Sequence, residues 1–284
     1  MSVTEEPLSG RLQGAVLRPV AASERGVIVL AGSSGRVDVE RARLLARHGA
    51  LALALRWFGG SDQPSGICEI ALETFTAAVD WLYEQGVRHV GLVGVSKGAE
   101  AVLLVACRDE RVDAVTAISP SSVAWANVGP GRDGAAYPYR SSWTWRGAPL
   151  PFVPYDETWT PAASDGPIAY RSLYEQSLRA FPAAATAASI PVEHARANLL
   201  LVAGADDQMW PSETFAAALA TRRRMAGRQV EVVSDVAAGH RPYFPGEAAP
   251  APPAHSAHGG SVAADGALGA AAWPRVLALL GPAQ

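Results

Sequence analysis

The sequence has little cysteine and no long apolar run. Its two cysteines, Cys68 and Cys107, are too few for a disulfide framework, which favours a reducing compartment. No apolar stretch reaches the ~18 residues that a membrane-spanning helix needs. The first ten residues carry Glu5, Glu6 and Pro7, where a secretory signal would need a basic start and an apolar segment. We therefore expect a cytoplasmic protein without a membrane partner.

Charge of either sign is not in large excess. The chain has 24 basic and 27 acidic residues and a formal net charge of −3, which argues against a nucleic-acid partner. Lys97 is the only lysine, and with abundant alanine this is typical of GC-rich, bacterial coding. The 284 residues are 49% hydrophobic and 18% charged. This length and composition suffice for a packed core and exclude general disorder.

Short apolar runs alternate with segments of helical spacing. The runs are residues 27–30, 50–55, 90–93, 112–118 and 198–202. They are typical of strands that are buried on both faces. Residues 39–48 and 69–85 have helical spacing, and Gly49 and Gly86 follow them as expected left-handed capping residues. The alternation predicts an α/β fold, with a mostly parallel sheet and helices on both faces.

The alternation stops between residues 121 and 190. This block holds 11 of the 21 aromatic residues and 8 of the 21 prolines and shows no long helical pattern. We interpret it as an insertion that covers the site as a lid, in a single domain whose core is 1–120 and 191–284. The alternative is a surface loop without a function. A second irregular stretch, 246–266, is expected to be a loose surface loop before the last helix.

Residues 94–98 match the pattern Gly-x-Ser-x-Gly. The pattern follows the apolar run 90–93 and opens a helical run, which is the strand, sharp turn and helix of a nucleophile elbow. A side chain at Gly94 or Gly98 would collide with the neighbouring strand or helix in so tight a turn. Ser96 is therefore the candidate nucleophile, and the alternative is a phosphate-binding or merely tight turn.

A serine nucleophile needs a base and an acid further along the chain. Asp206 and Asp207 follow the strand 198–202, ahead of Ser212 as an expected helix cap. Of these two carboxylates, one would orient the base and the other would cap the loop. His240 follows another predicted strand, 229–233, at the same edge of the sheet. His258 is the other histidine that could reach the site.

An acyl-transfer reaction also needs donors for the oxyanion. The backbone N–H of Lys97, directly after the nucleophile, is one candidate. Ser33, in the glycine-rich loop 31–35, is the other, although that loop could also be a plain turn. The Lys97 side chain could bind a coenzyme A phosphate, or it could pair with Glu100 three residues on.

Five segments together carry a family resemblance. They are Gly-Val-Ser-Lys-Gly-Ala-Glu (94–100), Ile-Ser-Pro-Ser-Ser-Val (118–123), Ile-Pro-Val-Glu (190–193), Gly-Ala-Asp-Asp-Gln-Met-Trp (204–210) and Gly-His-Arg-Pro-Tyr-Phe-Pro (239–245). The chain resembles the α/β-hydrolase fold and, more closely, the C-terminal catalytic domain of the acyl-CoA thioesterase and bile acid-CoA:amino acid N-acyltransferase family. The resemblance implies a catalytic triad of Ser96, Asp207 and His240 and an acyl-coenzyme A substrate.

Two departures from the family bear on function. Animal members carry an N-terminal β-sandwich domain, whereas here about 25 residues precede the first buried strand, so we expect that domain to be absent. Members that conjugate amino acids use cysteine as nucleophile, and serine at position 96 favours hydrolysis.

These observations predict a serine hydrolase that cleaves acyl thioesters, carried on coenzyme A or on a carrier, without a cofactor or a metal. An acyltransferase or cyclase would pass the acyl group to an amine or alcohol and would use the same residues. A carboxylester or dienelactone-type hydrolase would differ only in the leaving group. A ligand-binding protein that keeps the fold without catalysis is the alternative from another class.

Overall fold

The structure, a computed structural model, describes residues 2–163, 166–251 and 254–281. Eight strands form one sheet in the order β1-β2-β4-β3-β6-β7-β10-β11. Their bounds are β1 Val3–Leu8, β2 Gln13–Pro19, β3 Arg25–Leu30, β4 Leu51–Arg56, β6 His89–Val95, β7 Val112–Ile118, β10 Asn198–Gly204 and β11 Glu231–Asp235. Strands β4, β3, β6, β7, β10 and β11 run parallel, while β2 is antiparallel to both β1 and β4. This topology confirms the predicted α/β fold class.

Strand β1 was not predicted from the sequence. It lies at the edge of the sheet, where β2 is its one partner strand among the described residues, and it leaves its four central residues exposed. Because these four residues are exposed whichever way they point, the strand shows no apolar alternation. Pro7 is compatible with it, since an edge strand can lack one ladder donor.

Two layers of helix cover the sheet. The helices of the core are α1 Val39–Arg47, α2 Glu73–Glu84, α3 Lys97–Ala106, α6 Ser212–Met225 and α7 Val262–Leu279. Helices α2, α3 and α6 pack with side chains of one sheet face, such as Leu53 and Val115, and α1 and α7 pack with the other face, including Val29 and Val202. No helix in the described ranges combines the length and the apolar character needed to cross a bilayer.

Residues 121–190 contain more regular structure than the sequence indicated. Strands β8 Trp143–Trp145 and β9 Ala148–Pro149 join β5 Ile70–Ala71 in a small separate sheet, and α4 Arg171–Ala180 and α5 Pro182–Ala187 follow. Helix α4 is amphipathic, but only Tyr174 and Ser177 are buried. A single short helix with so few apolar positions gives too weak a period to detect.

The expectation of a loose loop at 246–266 was wrong for its last five residues, while 246–251 and 254–261 are irregular apart from an isolated bridge at Ser256. Helix α7 begins within it at Val262, after Ser261, whose hydroxyl accepts a hydrogen bond from the N–H of Ala264 (3.1 Å). Ahead of the helix, the carbonyl of His258 accepts from the N–H of His240 (2.8 Å). Residues 255, 257 and 258 are held by backbone hydrogen bonds to Ile168, Gln208 and His240, which the alanine- and proline-rich composition of the segment does not reveal.

Candidate active site

Ser96 lies on a strained turn between β6 and α3. Its φ is +56°, a left-handed conformation that is uncommon for a residue with a side chain. A Cβ on Gly94 would lie 2.3 Å from the carbonyl oxygen of Gly98, and a Cβ on Gly98 would lie 2.5 Å from that of Ala31. Both predicted collisions are therefore real, and the turn requires glycine on each side of the serine.

His240 and Asp207 are in direct contact. Nδ1 of the imidazole lies 2.7 Å from Oδ2 of the carboxylate, and both side chains are buried. The other oxygen, Oδ1, accepts the backbone N–H groups of Met209 (2.8 Å) and Trp210 (3.2 Å). A carboxylate fixed in this way orients the imidazole so that its Nε2 is free to act as a base.

Asp206 has a different partner from Asp207. Its Oδ2 accepts the N–H of Gly260 (2.8 Å) and its Oδ1 accepts from the Gln208 amide (2.9 Å). Of the two carboxylates left open by the sequence, it is thus the one that closes a loop. Ser212 does not cap helix α6 as predicted, because it is the first helical residue and its hydroxyl donates to the carbonyl of Gly204 (3.2 Å).

The end of strand β7 links the Ser96 turn to His240. The N–H of Ser96 donates to the carbonyl of Ile118 (2.9 Å), and the hydroxyl of the next residue, Ser119, donates to the carbonyl of His240 (2.9 Å). The indole N–H of Trp210 donates to the carbonyl of Ser119 (3.1 Å), and its ring meets the His240 ring edge-on. Sequence reasoning missed Ser119 and Trp210, although Ser119 directly follows a strand at the edge that carries the other site residues.

A cavity of about 320 Å³ opens beside Ser96. Ser33, Lys97 and Trp210 also line it, together with residues from 121–190. They are Asn127, Val128, Gly129, Ala136, Tyr137, Tyr139, Tyr155, Tyr170, Leu173 and Tyr174. Gly32, next to Ser33, is so close that a Cβ on it would lie 3.1 Å from Cβ of Ser96. The predicted nucleophile and the predicted oxyanion loop thus share one cavity.

The start of helix α4 is tied to the loop that carries Asp207. The Arg171 guanidinium donates to the carbonyls of Ala205 (2.8 Å) and Asp207 (3.2 Å), and the Arg171 N–H donates to the carbonyl of Gln208 (3.0 Å). These contacts fix the helix that presents Tyr174 to the cavity.

The Lys97 side chain is buried against Glu100. Its Nζ lies 2.8 Å and 2.7 Å from the two carboxylate oxygens. The sequence left open whether Lys97 binds a coenzyme A phosphate or pairs with Glu100, and the structure shows the ion pair. Burial lowers the pKa of Lys97, and the charge of Glu100 acts in the opposite direction. Glu100 also accepts the backbone N–H of Trp125 (3.0 Å) and the indole N–H of Trp143. The ion pair on helix α3 therefore anchors Trp125 and Trp143, which belong to the 121–190 block, to that helix.

His258 packs beside His240 with ring centroids 5.8 Å apart. Burial, followed by the charges of His240 and Arg241, lowers the pKa of His258 to about 4, so it is neutral at physiological pH. It has no carboxylate comparable to Asp207 against its ring among the described residues, and its Nδ1 is buried there without a partner. Within those same residues, no three histidine, cysteine or acidic side chains gather as metal ligands would.

Comparison with known proteins gives a match over most of the chain. Residues 70–282 match the model of the family described as BAAT / Acyl-CoA thioester hydrolase C terminal. The chain is 29% identical over 252 residues to human acyl-coenzyme A thioesterase 1, covering 86% of this chain and 56% of that protein. It is 28% identical over 249 residues to rat acyl-coenzyme A amino acid N-acyltransferase 2, covering 85% and 55%. The chain thus spans about half the length of these relatives.

The fold has solved counterparts as well. The acylaminoacyl peptidase of Pyrococcus horikoshii superposes with a TM-score of 0.52 at 11% identity, covering 84% of this chain and 37% of that one. At this identity the likeness concerns the fold alone, and it agrees with the expected α/β-hydrolase fold.

Proposed function

The chain belongs to the BAAT / acyl-CoA thioester hydrolase C-terminal family over residues 70–282, and on this premise we propose that it is a serine hydrolase that cleaves acyl thioesters. One observation carries the proposal: the buried contact between His240 and Asp207 is joined through Ser119 and Ile118 to the turn that bears Ser96. The proposed catalytic triad is therefore Ser96, His240 and Asp207.

The reaction proceeds in two halves through an acyl-enzyme. His240 takes the hydroxyl proton of Ser96 while the serine oxygen attacks the thioester carbonyl, and the C–S bond then breaks as the thiol leaves with that proton. A water molecule next gives a proton to His240 while its oxygen attacks the acyl-enzyme. The carboxylic acid leaves, and the proton returns to Ser96. Asp207 holds the imidazole tautomer throughout.

The oxyanion of each tetrahedral intermediate is stabilised by two backbone N–H groups. We assign them to Lys97, at the first residue of helix α3 where the helix dipole also favours negative charge, and to Ser33 in the facing loop. The closeness of Gly32 to Ser96 supports this loop as the second donor. Losing one such donor costs about 10²–10³ in rate.

Residues 121–190 serve as the lid in this proposal, and residues 1–120 and 191–284 as the catalytic core. Most of the cavity wall beside Ser96 comes from the lid, so the acyl group binds between lid and core. Two contacts tie the lid to the core. Glu100, next to the Ser96 turn, binds the N–H of Trp125, and Arg171 binds the loop that carries Asp207.

Hydrolysis of coenzyme A thioesters tests the proposal directly. Thiol release from an acyl-CoA panel should depend on Ser96, and Ser96→Ala should lower kcat by about 10⁶ because the triad acts as a unit. Ser34→Ala, in the same loop as Ser33 but outside the cavity lining, is the matched control and should keep parental rates. A fluorophosphonate probe should label Ser96 in the parent and in Ser34→Ala, and Ser96→Ala should stay unlabelled.

The products decide between water and another acceptor. Mass spectrometry after incubation with an acyl-CoA and added amines or alcohols should find the free acid. Amide or ester products would favour the acyltransferase alternative, and faster cleavage of matched oxygen esters would favour a carboxylester hydrolase. Full activity of Ser96→Ala would overturn the proposal.

A further inference from the structure

The cavity beside Ser96 is small, and six of the fifteen residues that line it carry aromatic rings. Its volume of about 320 Å³ is at the lower end of the roughly 300–1,000 Å³ of small-molecule pockets. It equals about ten water molecules at the ~30 Å³ that each takes up in the liquid. The ring-bearing residues are Tyr137, Tyr139, Tyr155, Tyr170, Tyr174 and Trp210. A group of about ten non-hydrogen atoms matches this volume, whereas a long fatty acyl chain would extend out of the cavity.

The aromatic rings of the cavity wall pack against one another and against the buried ring of Trp125. Tyr155 and Tyr174 meet edge to face at 89° with centroids 5.7 Å apart, and Tyr174 meets Trp210 at 84° and 5.4 Å. The buried ring of Trp125 stacks on Tyr155 and lies edge-on to Tyr174. The wall is therefore preformed, and a planar aromatic guest can add further edge-to-face contacts, which contribute about 0.5–1.5 kcal/mol each beyond area burial.

The hydroxyl groups of Tyr155 and Tyr174 are neutral parts of this wall. The Tyr155 hydroxyl donates to the carbonyl of Ala126 (3.2 Å), and burial raises the pKa of both Tyr155 and Tyr174, so these phenols stay neutral. Buried phenols seek hydrogen-bond partners. The Tyr155 hydroxyl already has one, so the tyrosine rings, rather than their hydroxyl groups, are what this wall offers to the acyl group.

A negatively charged acyl group does not suit the cavity. Among the described residues that line it, Lys97 is the one charged side chain, and its Nζ is already bound by both oxygens of Glu100. Burying a second carboxylate there would leave it without a cation. This excludes dicarboxylic acyl groups as good substrates.

We infer that the acyl group carried to Ser96 is a compact, uncharged aromatic one, so that the substrate class is an aryl or arylalkanoyl thioester. This inference rests on the proposed function and goes further by naming the acyl group.

A panel of coenzyme A thioesters tests it. Phenylacetyl-CoA and cyclohexylacetyl-CoA have the same carbon skeleton and differ in aromaticity, while octanoyl-, palmitoyl- and succinyl-CoA vary length and charge. We expect kcat/KM for phenylacetyl-CoA to exceed that for cyclohexylacetyl-CoA and for octanoyl-CoA, whose acyl groups have the same number of carbons, about tenfold, from one or two edge-to-face contacts. It should exceed that for palmitoyl- and succinyl-CoA by more. Equal or higher values for octanoyl-, palmitoyl- or succinyl-CoA would overturn the inference while leaving thioester hydrolysis intact.

Two substitutions separate the ring from the hydroxyl group. Tyr174→Leu removes the ring, and the phenylacetyl to cyclohexylacetyl ratio should fall towards one. Tyr174→Phe keeps the ring, so that ratio should persist while any preference for 4-hydroxyphenylacetyl-CoA over phenylacetyl-CoA is lost. A ratio that is the same in Tyr174→Leu and the parent would contradict the assigned wall.

Binding to the Ser96→Ala variant keeps this inference distinct from catalysis. Calorimetry should find tighter binding of phenylacetyl-CoA than of octanoyl-CoA, even if no thioester is hydrolysed by the parent. If the parent shows no turnover but this binding preference is found, the proposed function is wrong and the inference stands. If the parent hydrolyses thioesters but octanoyl-CoA binds more tightly, the inference is wrong and the proposed function stands.

Discussion

Oδ2 of Asp207 lies 2.7 Å from Nδ1 of His240, while the neighbouring carboxylate of Asp206 bonds to the N–H of Gly260 instead. Two adjacent acidic residues in one loop thus have separate tasks. The difference arises because the loop after β10 turns one carboxylate inward, where Met209 and Trp210 donate to it, and the other towards the 258–260 segment.

This division predicts unequal effects of matched substitutions. Asp207→Asn removes the charge that holds the imidazole tautomer, and kcat should fall by about 10⁴. Asp206→Asn keeps an oxygen that can accept from Gly260, and kcat should stay within about tenfold of the parent. Steady-state thioester hydrolysis measures both, and circular dichroism shows whether each variant is folded. A larger loss of kcat in Asp206→Asn than in Asp207→Asn would show that Asp206, and not Asp207, is the acid of the triad.

The ion pair between Lys97 and Glu100 predicts a large effect on stability. Both side chains are almost fully buried, so Glu100→Gln leaves an unpaired buried ammonium and should lower the free energy of unfolding by about 3–5 kcal/mol. The double variant Lys97→Met/Glu100→Gln should recover part of the loss. Urea unfolding measures both values.

An exposed ion pair is the control for that experiment. Arg196 and Glu110 are more than half exposed, and Glu110→Gln should cost about 0–1 kcal/mol. If the free energy of unfolding falls equally in Glu110→Gln and Glu100→Gln, the buried pair contributes no more to stability than an exposed one, and its role in anchoring Trp125 and Trp143 is contradicted.

Much of the fold and part of the site could be predicted because they depend on local patterns. The buried strands follow from short apolar runs. The glycines around Ser96 follow from sterics within a few residues, as do the positive φ angles of Gly49 and Gly86. The fold class and the family are confirmed. The triad itself stays a prediction.

Long-range backbone contacts could not be predicted. The carbonyl of His258 binds the N–H groups of His240 and Gln208, but every residue has such groups, so the sequence gives no sign of the contact. The ion pair of Glu100 with Lys97 was one of two possibilities that the sequence offered, but the bonds of Glu100 to residues 125 and 143 depend on how the insertion folds back. A strand such as β1, whose four central residues are all exposed, likewise gives no apolar alternation in the sequence.

Gly32 is predicted to be essential for access to the nucleophile. A Cβ there would lie 3.1 Å from Cβ and 3.6 Å from Oγ of Ser96, and the strained turn prevents the serine from moving away. Gly32→Ala should therefore lower kcat/KM about tenfold or more, since small misplacements of reacting atoms have large effects on rate. The rate of fluorophosphonate labelling should fall in parallel. Unchanged labelling would show that the loop yields to the methyl group.

His258 predicts an acid-sensitive contribution to stability. Burial, with His240 and Arg241 nearby, lowers its folded pKa to about 4, whereas the unfolded chain takes up the proton near 6.5. Between these values the unfolded state binds more protons, so stability falls as pH decreases from about 6.5 to about 4. His258→Phe and His258→Gln both remove this term, and relative to the parent they should gain about 1 kcal/mol between pH 7.5 and pH 4.5, allowing for solvent screening of a half-buried ring. Urea unfolding at the two pH values measures the gain, and curves that stay parallel in both variants would show that His258 titrates alike in the folded and unfolded states.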